Sequence, residues 1–257
     1  MANSDYLDKM PKEGDFLIKW FVENISDVVD FSKVRTILDI GSRDLMQSFE
    51  FKTFFPECKV HAFEANRRAI ETCRNNLRPR VPPVNDHGHP FRGVPDRDKE
   101  DITLYPWAVS DKSGLIDFHE VDLERSPSPS IGASSIFKVR DDFTREEWVQ
   151  NKVTVPTGTI DGWRETENIP KIDLVWMDIQ GAELLAFKGM AKTLAHVKAI
   201  HTEAGVKAYY HGHTLLPEID EFLAAHDFVR AKTEMAHEWE ANVIYVKRSL
   251  YYYTGTY

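Results

Sequence analysis

Cysteine is almost absent from this chain: only Cys58 and Cys73 occur in 257 residues. With no further thiols there is no disulfide framework and no four-cysteine metal site. Two reduced thiols in a cytoplasmic protein are the favoured reading over one lone bridge. Long hydrophobic runs are also missing, since none approaches the ~18 residues that cross a bilayer. The opening MANSDYLDKMPKEGD has no basic flank leading into a short apolar core, so a secretory leader is not expected. Positive charge is in deficit, with 32 Lys and Arg against 41 Asp and Glu and a formal net charge of -9. That balance argues against a nucleic-acid-binding surface, which needs a basic face, while leaving room for a local basic patch. No internal repeat is found.

What is present is a chain whose hydrophobic share, 42%, suits one well-packed α/β domain with insertions. The expected layout is a single domain over 1–257, with a helical segment at 1–32, a core at 33–248 and a tail at 249–257. Residues 15–30 read as an amphipathic helix with Phe16, Leu17, Trp20, Phe21, Ile25, Val28 and Val29 on one side. Strand signals at 36–40, 59–63, 102–109, 152–156, 172–177, 198–203, 227–229 and 242–247 alternate with helix signals at 44–55, 66–77, 183–197 and 217–226. Asn66 is positioned to cap its helix. Five prolines at 79, 82, 83, 90 and 95 mark a long loop over 78–101. Leu115–Val121, after the DKSG turn, reads as an added antiparallel strand, and 122–135 as a turn-rich, mobile loop. Alternating strands and helices predict a mostly parallel, doubly wound sheet covered on both faces.

The richest stretch is KIDLVWMDIQGAELLAFKG at 171–189. An apolar run ends in Asp178, and Gly181, Ala182 and Glu183 open a helix. A carboxylate at a strand's C-terminal tip is how open α/β sheets build sites. TILDIGSRD at 36–44 repeats the form with Asp39, Gly41, Ser42 and Arg43. Gly41 would let the backbone approach a ligand closely. HAFEAN at 61–66 ends the next strand in Glu64, 23 residues after Gly41, a spacing suited to a nucleoside-binding βαβ unit. A carboxylate there can accept from both hydroxyls of a ribose. The full G-x-G-x-x-G is absent, as is a Tyr-x-x-x-Lys pair, which disfavours a nicotinamide-dependent dehydrogenase.

These segments, in this order, resemble FkbM-type S-adenosylmethionine-dependent methyltransferases. The resemblance rests on Asp39 and Gly41, Phe63 and Glu64, the Ala108-Val109-Ser110-Asp111 segment, Ala133-Ser134-Ser135, Thr159 and Asp161, the Asp178-Gly181-Glu183-Lys188-Gly189 series, and Glu203. It covers about 36–247. It implies a Rossmann-like class I α/β fold: a doubly wound, mostly parallel seven-stranded sheet with an antiparallel last strand, plus a β-hairpin insertion. S-adenosylmethionine is the implied cofactor, held by Asp39, Gly41, Ser42, Arg43, Glu64, Ala65, Ala108, Val109 and Asp178. Departures fall at Arg43 and Leu45, where the family usually has Asn and Gly, and at Met177 and Gln180, where it usually has Lys and an acid.

O-methylation of a small molecule or glycan is the leading expectation. Transfer to nitrogen or to a macromolecule, and a module that binds the cofactor without catalysis, are the alternatives. A hydroxyl acceptor must lose its proton, which calls for a base or a metal ion. Asp178, Glu203 and His201 are the catalytic candidates. Asp178 and Glu203 could together hold a divalent cation, their oxygen ligands suiting Mg²⁺ or Ca²⁺ better than zinc. No residue is assigned as a metal ligand, because the His201, His211 and His213 series has weak metal spacing. Ser134, Ser135, Tyr209, Tyr210 and His211 are the candidate acceptor-site residues, the serines on a loop able to fold over the pocket. Arg67, Arg68, Arg74, Arg78 and Arg80 could meet an anionic acceptor, but read better as a solvated helix face.

Overall fold

The computed structural model describes residues 3–7, 17–91 and 96–251. In chain order the strands are β1 (Thr36–Ile40), β2 (Lys59–Phe63), β3 (Ile102–Tyr105), β4 (Ala108–Val109), β5 (Gly114–Val121), β6 (Gln150–Gly158), β7 (Leu174–Met177), β8 (Ala199–Gly205), β9 (Phe228–His237) and β10 (Glu240–Lys247). The helices are α1 (Asn3–Leu7), α2 (Lys19–Ile25), α3 (Met46–Phe54), α4 (Arg67–Asn76), α5 (Ile160–Thr166), α6 (Glu183–Lys188), α7 (Leu216–Ala225) and α8 (Arg248–Tyr251). Seven strands form one sheet in the order β3-β2-β1-β7-β8-β10-β9. All pairings from β3 to β8 are parallel, and β10 runs antiparallel to both β8 and β9. The expected doubly wound, mostly parallel sheet is therefore present.

The central strands are buried on both faces, and the two clusters they carry explain the layering. Ile37, Ala62, Leu174 and Ala199 pack with Phe21, Phe51 and Phe54 on one face. Leu38, Ile40, Val175, Met177 and Ile200 pack with Phe187, Met190 and Leu223 on the other. Alternate residues of each strand thus feed different cores. Each fully buried Leu, Ile or Phe contributes about 1.5–3 kcal/mol.

The expected β-hairpin insertion is present as the antiparallel β5–β6 pair, extended to three strands by β4, which pairs parallel with β6. Three expectations change. The run at 102–109 is split between the two sheets at Pro106, which has no N–H to continue a ladder. The helix expected over 15–30 spans only Lys19–Ile25; Phe16 lies outside the described residues, and Leu17 is exposed. Its continuation meets the β-branched pair Val28-Val29, which resists helical χ1 restriction. Likewise α6 stops at Gly189, where any side chain would run into the Ser110 carbonyl. Met190, Leu194 and Val197 are buried as expected but lie beyond the helix.

Candidate active site

β1 leads outward to β2 on one side and abuts β7 on the other, so the strand order reverses between β1 and β7. Loops leaving the C-terminal ends there must diverge and leave a crevice. The crevice has about 800 Å³ of atom-free space, its open mouth included. Gly41, Arg43, Glu64, Ala65, Ala108, Val109 and Asp178 line it, together with Phe63, Trp107, Phe118, Ser134 and Trp176.

Gly41 has φ +86, and a Cβ there would stand 1.8 Å from the Asp178 carbonyl oxygen. The approach of the β7 loop therefore demands the glycine, a reason added to its expected place on the wall of the crevice. Glu64 is 9% exposed. Its Oε1 accepts from the amides of Ala65 and Asn66, both at 2.7 Å, and its Oε2 from the Arg43 amide at 2.8 Å. Burial raises its pKa, with these three amides opposing the rise. Oε2 keeps one acceptor position for a ligand, so one hydroxyl fits there more readily than the two expected. Arg43 adopts φ +48 and faces the crevice, its guanidinium 3.7 Å from both Asp44 and Asp86.

Two expected cofactor residues do not line the crevice. Asp39 is completely buried on the sheet face of Ile37, where Oδ2 accepts from the Ser48 hydroxyl and Oδ1 has no partner. Burial pushes its carboxyl up to about 7. Ser42 is also fully buried, and its hydroxyl donates to the Asp39 carbonyl at 2.8 Å. Both residues shape the β1 turn from behind it.

A second cavity adjoins the first, with about 870 Å³ of atom-free space including its opening. Arg43, Gly132 and Asp178 line both cavities, and Glu146, Trp148, Gln180, Tyr209, Trp239 and Glu240 add to the second. Asp178 therefore stands where the two meet. The Gln180 amide donates to Asp178 Oδ1 at 2.7 Å and to Glu203 Oε2 at 3.2 Å. The Tyr209 hydroxyl donates to Glu240 Oε1.

The other expected residues are redistributed by packing. His201 lies opposite Trp176 in the β7–β8 register, and the two rings stack at 3.6 Å. It lines neither cavity, and burial drives its pKa down to about 3, so the structure holds this catalytic candidate neutral and away from the crevice. Glu203 also lines neither cavity and sits behind Gln180. Its carboxyl is pushed well above the usual range by burial, then by the charges of Asp178 and Glu240. The His211 side chain is exposed. His213 is buried against Gly181 and Gly205 and lowered to about 4, so the three histidines are scattered and form no metal site. Tyr210 is buried, its hydroxyl reaching the Ala133 carbonyl at 2.8 Å and Gln180 Oε1 at 3.2 Å. Ser134 lines the first cavity while accepting from Asn66 Nδ2 and the Val121 amide, both at 3.0 Å; Ser135 donates to the Gln180 carbonyl at 2.8 Å. The serine segment is thus tied down on both sides instead of hanging as a lid. Of the arginines after β2, Arg67 grips Glu120 with its guanidinium at the surface.

A sequence profile for the methyltransferase FkbM domain matches residues 39–230, most of the chain. The chain belongs to the FkbM methyltransferase family. It is accordingly an S-adenosylmethionine-dependent methyltransferase. The 2-O-methyltransferase NoeI of Sinorhizobium fredii (strain NBRC 101917 / NGR234) is 29% identical over 195 residues, covering 75% of this chain and 72% of that protein. The crystal structure of methyltransferase FkbM from Methylobacillus flagellatus KT overlays with a TM-score of 0.49 at 12% identity; 95% of this chain is covered, but only 58% of that one. Magnesium protoporphyrin IX methyltransferase from Synechocystis PCC 6803 overlays at 0.44 with 9% identity, covering 96% of this chain and 91% of that one.

In this FkbM methyltransferase the second cavity adds residues that sequence reasoning missed. Glu240 is brought to Glu203 by the antiparallel return of β10, which pairs it with Gly205 across the register. Trp148 comes from the loop before β6 and Trp239 from the β9–β10 turn. No local motif signals either. Gln180 had a signal, its departure from the family's usual acid. Among the described residues, no group of three or more His, Cys, Asp or Glu side chains is arranged to hold a metal ion. The Asp178 and Glu203 carboxyls hydrogen-bond each other, and the Gln180 amide donates to both, so the place expected for a shared cation is taken by a proton and an amide.

Proposed function

We propose that this enzyme methylates a hydroxyl oxygen on a neutral, polyhydroxylated small molecule or glycan, with Asp178 as the base. The observation that carries the reading is that two cavities of ligand size meet at the Asp178 carboxylate. The first cavity suits the cofactor. Its apolar walls at Phe63, Trp107 and Phe118 can cover a base, and Glu64 offers an acceptor to a ribose hydroxyl. Its carboxylates, Glu64 and Asp178, suit a ligand carrying positive charge. When bound, S-adenosylmethionine supplies an electrophilic methyl group on a sulfonium.

The second cavity would hold the acceptor. Glu146, Asp178 and Glu240 against Arg43 disfavour an anionic acceptor, while Trp148, Trp239 and Tyr209 offer flat faces beside hydrogen-bonding groups. Asp178 would accept the hydroxyl proton, and the walls would hold the oxygen toward the first cavity. The name of the related NoeI, a 2-O-methyltransferase, supports oxygen as the acceptor atom. The acidic net charge disfavours nucleic acid as acceptor. With only two cysteines in the chain, a cytoplasmic setting is the one we favour; no helix of the described residues is long and apolar enough to cross a membrane.

The test is incubation with methyl-labelled S-adenosylmethionine and a panel of neutral, acidic and amino sugars and oligosaccharides, followed by mass analysis. Label should appear as a methyl ether on neutral members. Label on nitrogen, or on acidic sugars alone, would overturn the reading.

A further inference from the structure

Gln180 is held by four groups at once. Its backbone has φ +55, a conformation uncommon outside glycine. Its carbonyl accepts from the Ser135 hydroxyl at 2.8 Å, and its side-chain Oε1 accepts from the Tyr210 hydroxyl at 3.2 Å. That leaves the two N–H bonds of the amide, and each goes to a different carboxylate, Asp178 at 2.7 Å and Glu203 at 3.2 Å. An amide in the opposite orientation would set its oxygen against the Asp178 carboxylate at 2.7 Å, which favours the orientation described. Charge makes the residue type matter. Glu203 from β8, Glu240 from β10, Glu183 from α6 and Asp178 itself surround this point, with Tyr209, Tyr210 and Arg43 also facing it. An acid at position 180 would set a second carboxyl directly against Asp178, whereas the amide supplies donors.

We propose that Gln180 is a positioning residue that ties the Asp178 carboxylate to Glu203 and holds it at the junction of the two cavities. The assignment rests on the reading of Asp178 as the base. Without the amide, Asp178 keeps its contact with the Glu203 carboxyl but loses the 2.7 Å donor on Oδ1, so its carboxylate shifts from its present position at the junction. Glu203 loses a donor to its ionised form, so its titration moves further up.

The test uses Gln180→Met, close in length but without hydrogen bonds, beside Gln180→Glu, which keeps the shape and adds an ionisable group. Crystal structures of both should show the Asp178 carboxylate rotated away from its present position. In carboxyl-¹³C NMR titrations, with Glu203 assigned from Glu203→Gln, its midpoint should rise by about one pH unit or more. An Asp178 rotamer and a Glu203 midpoint unchanged in either folded variant would overturn the proposal. Calorimetry with S-adenosylmethionine on the wild-type protein tests the broader reading separately. Absence of binding would sink the cofactor assignment while leaving the Gln180 result to stand or fall on its own data.

Discussion

Replacing Glu64 by Gln asks one oxygen to become a donor in a place built for acceptors. Oε1 already takes two amides, from Ala65 and Asn66, so the glutamine oxygen must stay there. Its new NH₂ then faces the Arg43 amide, donor against donor, where Oε2 now accepts at 2.8 Å. A hydrogen bond to a charged group is worth about 1.5–3 kcal/mol, so the β1 turn should lose stability of that order. The ligand hydroxyl at Oε2 also loses its ionised acceptor, although it can turn and accept from NH₂ instead. Binding of S-adenosylmethionine should therefore weaken by about 1.5–3 kcal/mol, roughly ten- to a hundredfold in Kd. Isothermal titration calorimetry measures the affinity, and thermal melting separates loss of binding from loss of fold. A folded Glu64→Gln protein with wild-type affinity would refute the ribose assignment.

Asp178→Asn should lower turnover by at least about 10²-fold on an acceptor found in the labelling screen, with S-adenosylmethionine affinity nearly kept; near-normal turnover would remove Asp178 as base. His201→Phe, which preserves stacking on Trp176, should leave turnover within about twofold, and a collapse without unfolding would restore a catalytic role for that histidine. Gly41→Ala must displace the Asp178 carbonyl and adopt a left-handed backbone, so melting temperature and cofactor affinity should both drop; an unchanged melting curve would contradict the tight β1–β7 approach. Burial, with the Asp178 charge adding to it, pushes Glu183 up to about 8 from 4.5, so the folded state holds a proton that the unfolded chain releases near pH 4.5. The resulting stability is full below that pH and is lost as pH rises through about 8; Glu183→Gln should flatten this decline in chemical denaturation across pH 5–8, and an identical slope would count against a buried neutral Glu183.

Much of the scaffold was legible because its signals are local. The apolar runs of β1, β2 and β7 are short and each ends in an acid or a glycine turn, which together favour strands buried on both faces. The Asn66 side chain caps α4 as its position in the sequence suggests, accepting from the amides of Arg68 and Ala69. Glu64 and Asp178 follow strands by one residue, and parallel pairing of β2, β1 and β7 necessarily brings their tips to one edge. The short α2 was harder to read, because a pattern of apolar positions reports which residues are buried and not whether the backbone between them is helical.

The chain by itself determined the alternation of the main-sheet strands with most of their helices, the family, and the two acids that face the crevice, but not α5 or the split between β3 and β4. Only the tertiary structure decided which side chains on those strands reach it. Asp39 and His201 carry chemistry at strand positions that look suitable, yet strand alternation turns them into the core, where they are buried against Ser48 and Trp176. The second cavity depended on long-range pairing, since the β9–β10 return sets Glu240 and Trp239 beside residues from the 128–148 segment. Such contacts join positions a hundred residues apart, and no spacing within one segment encodes them.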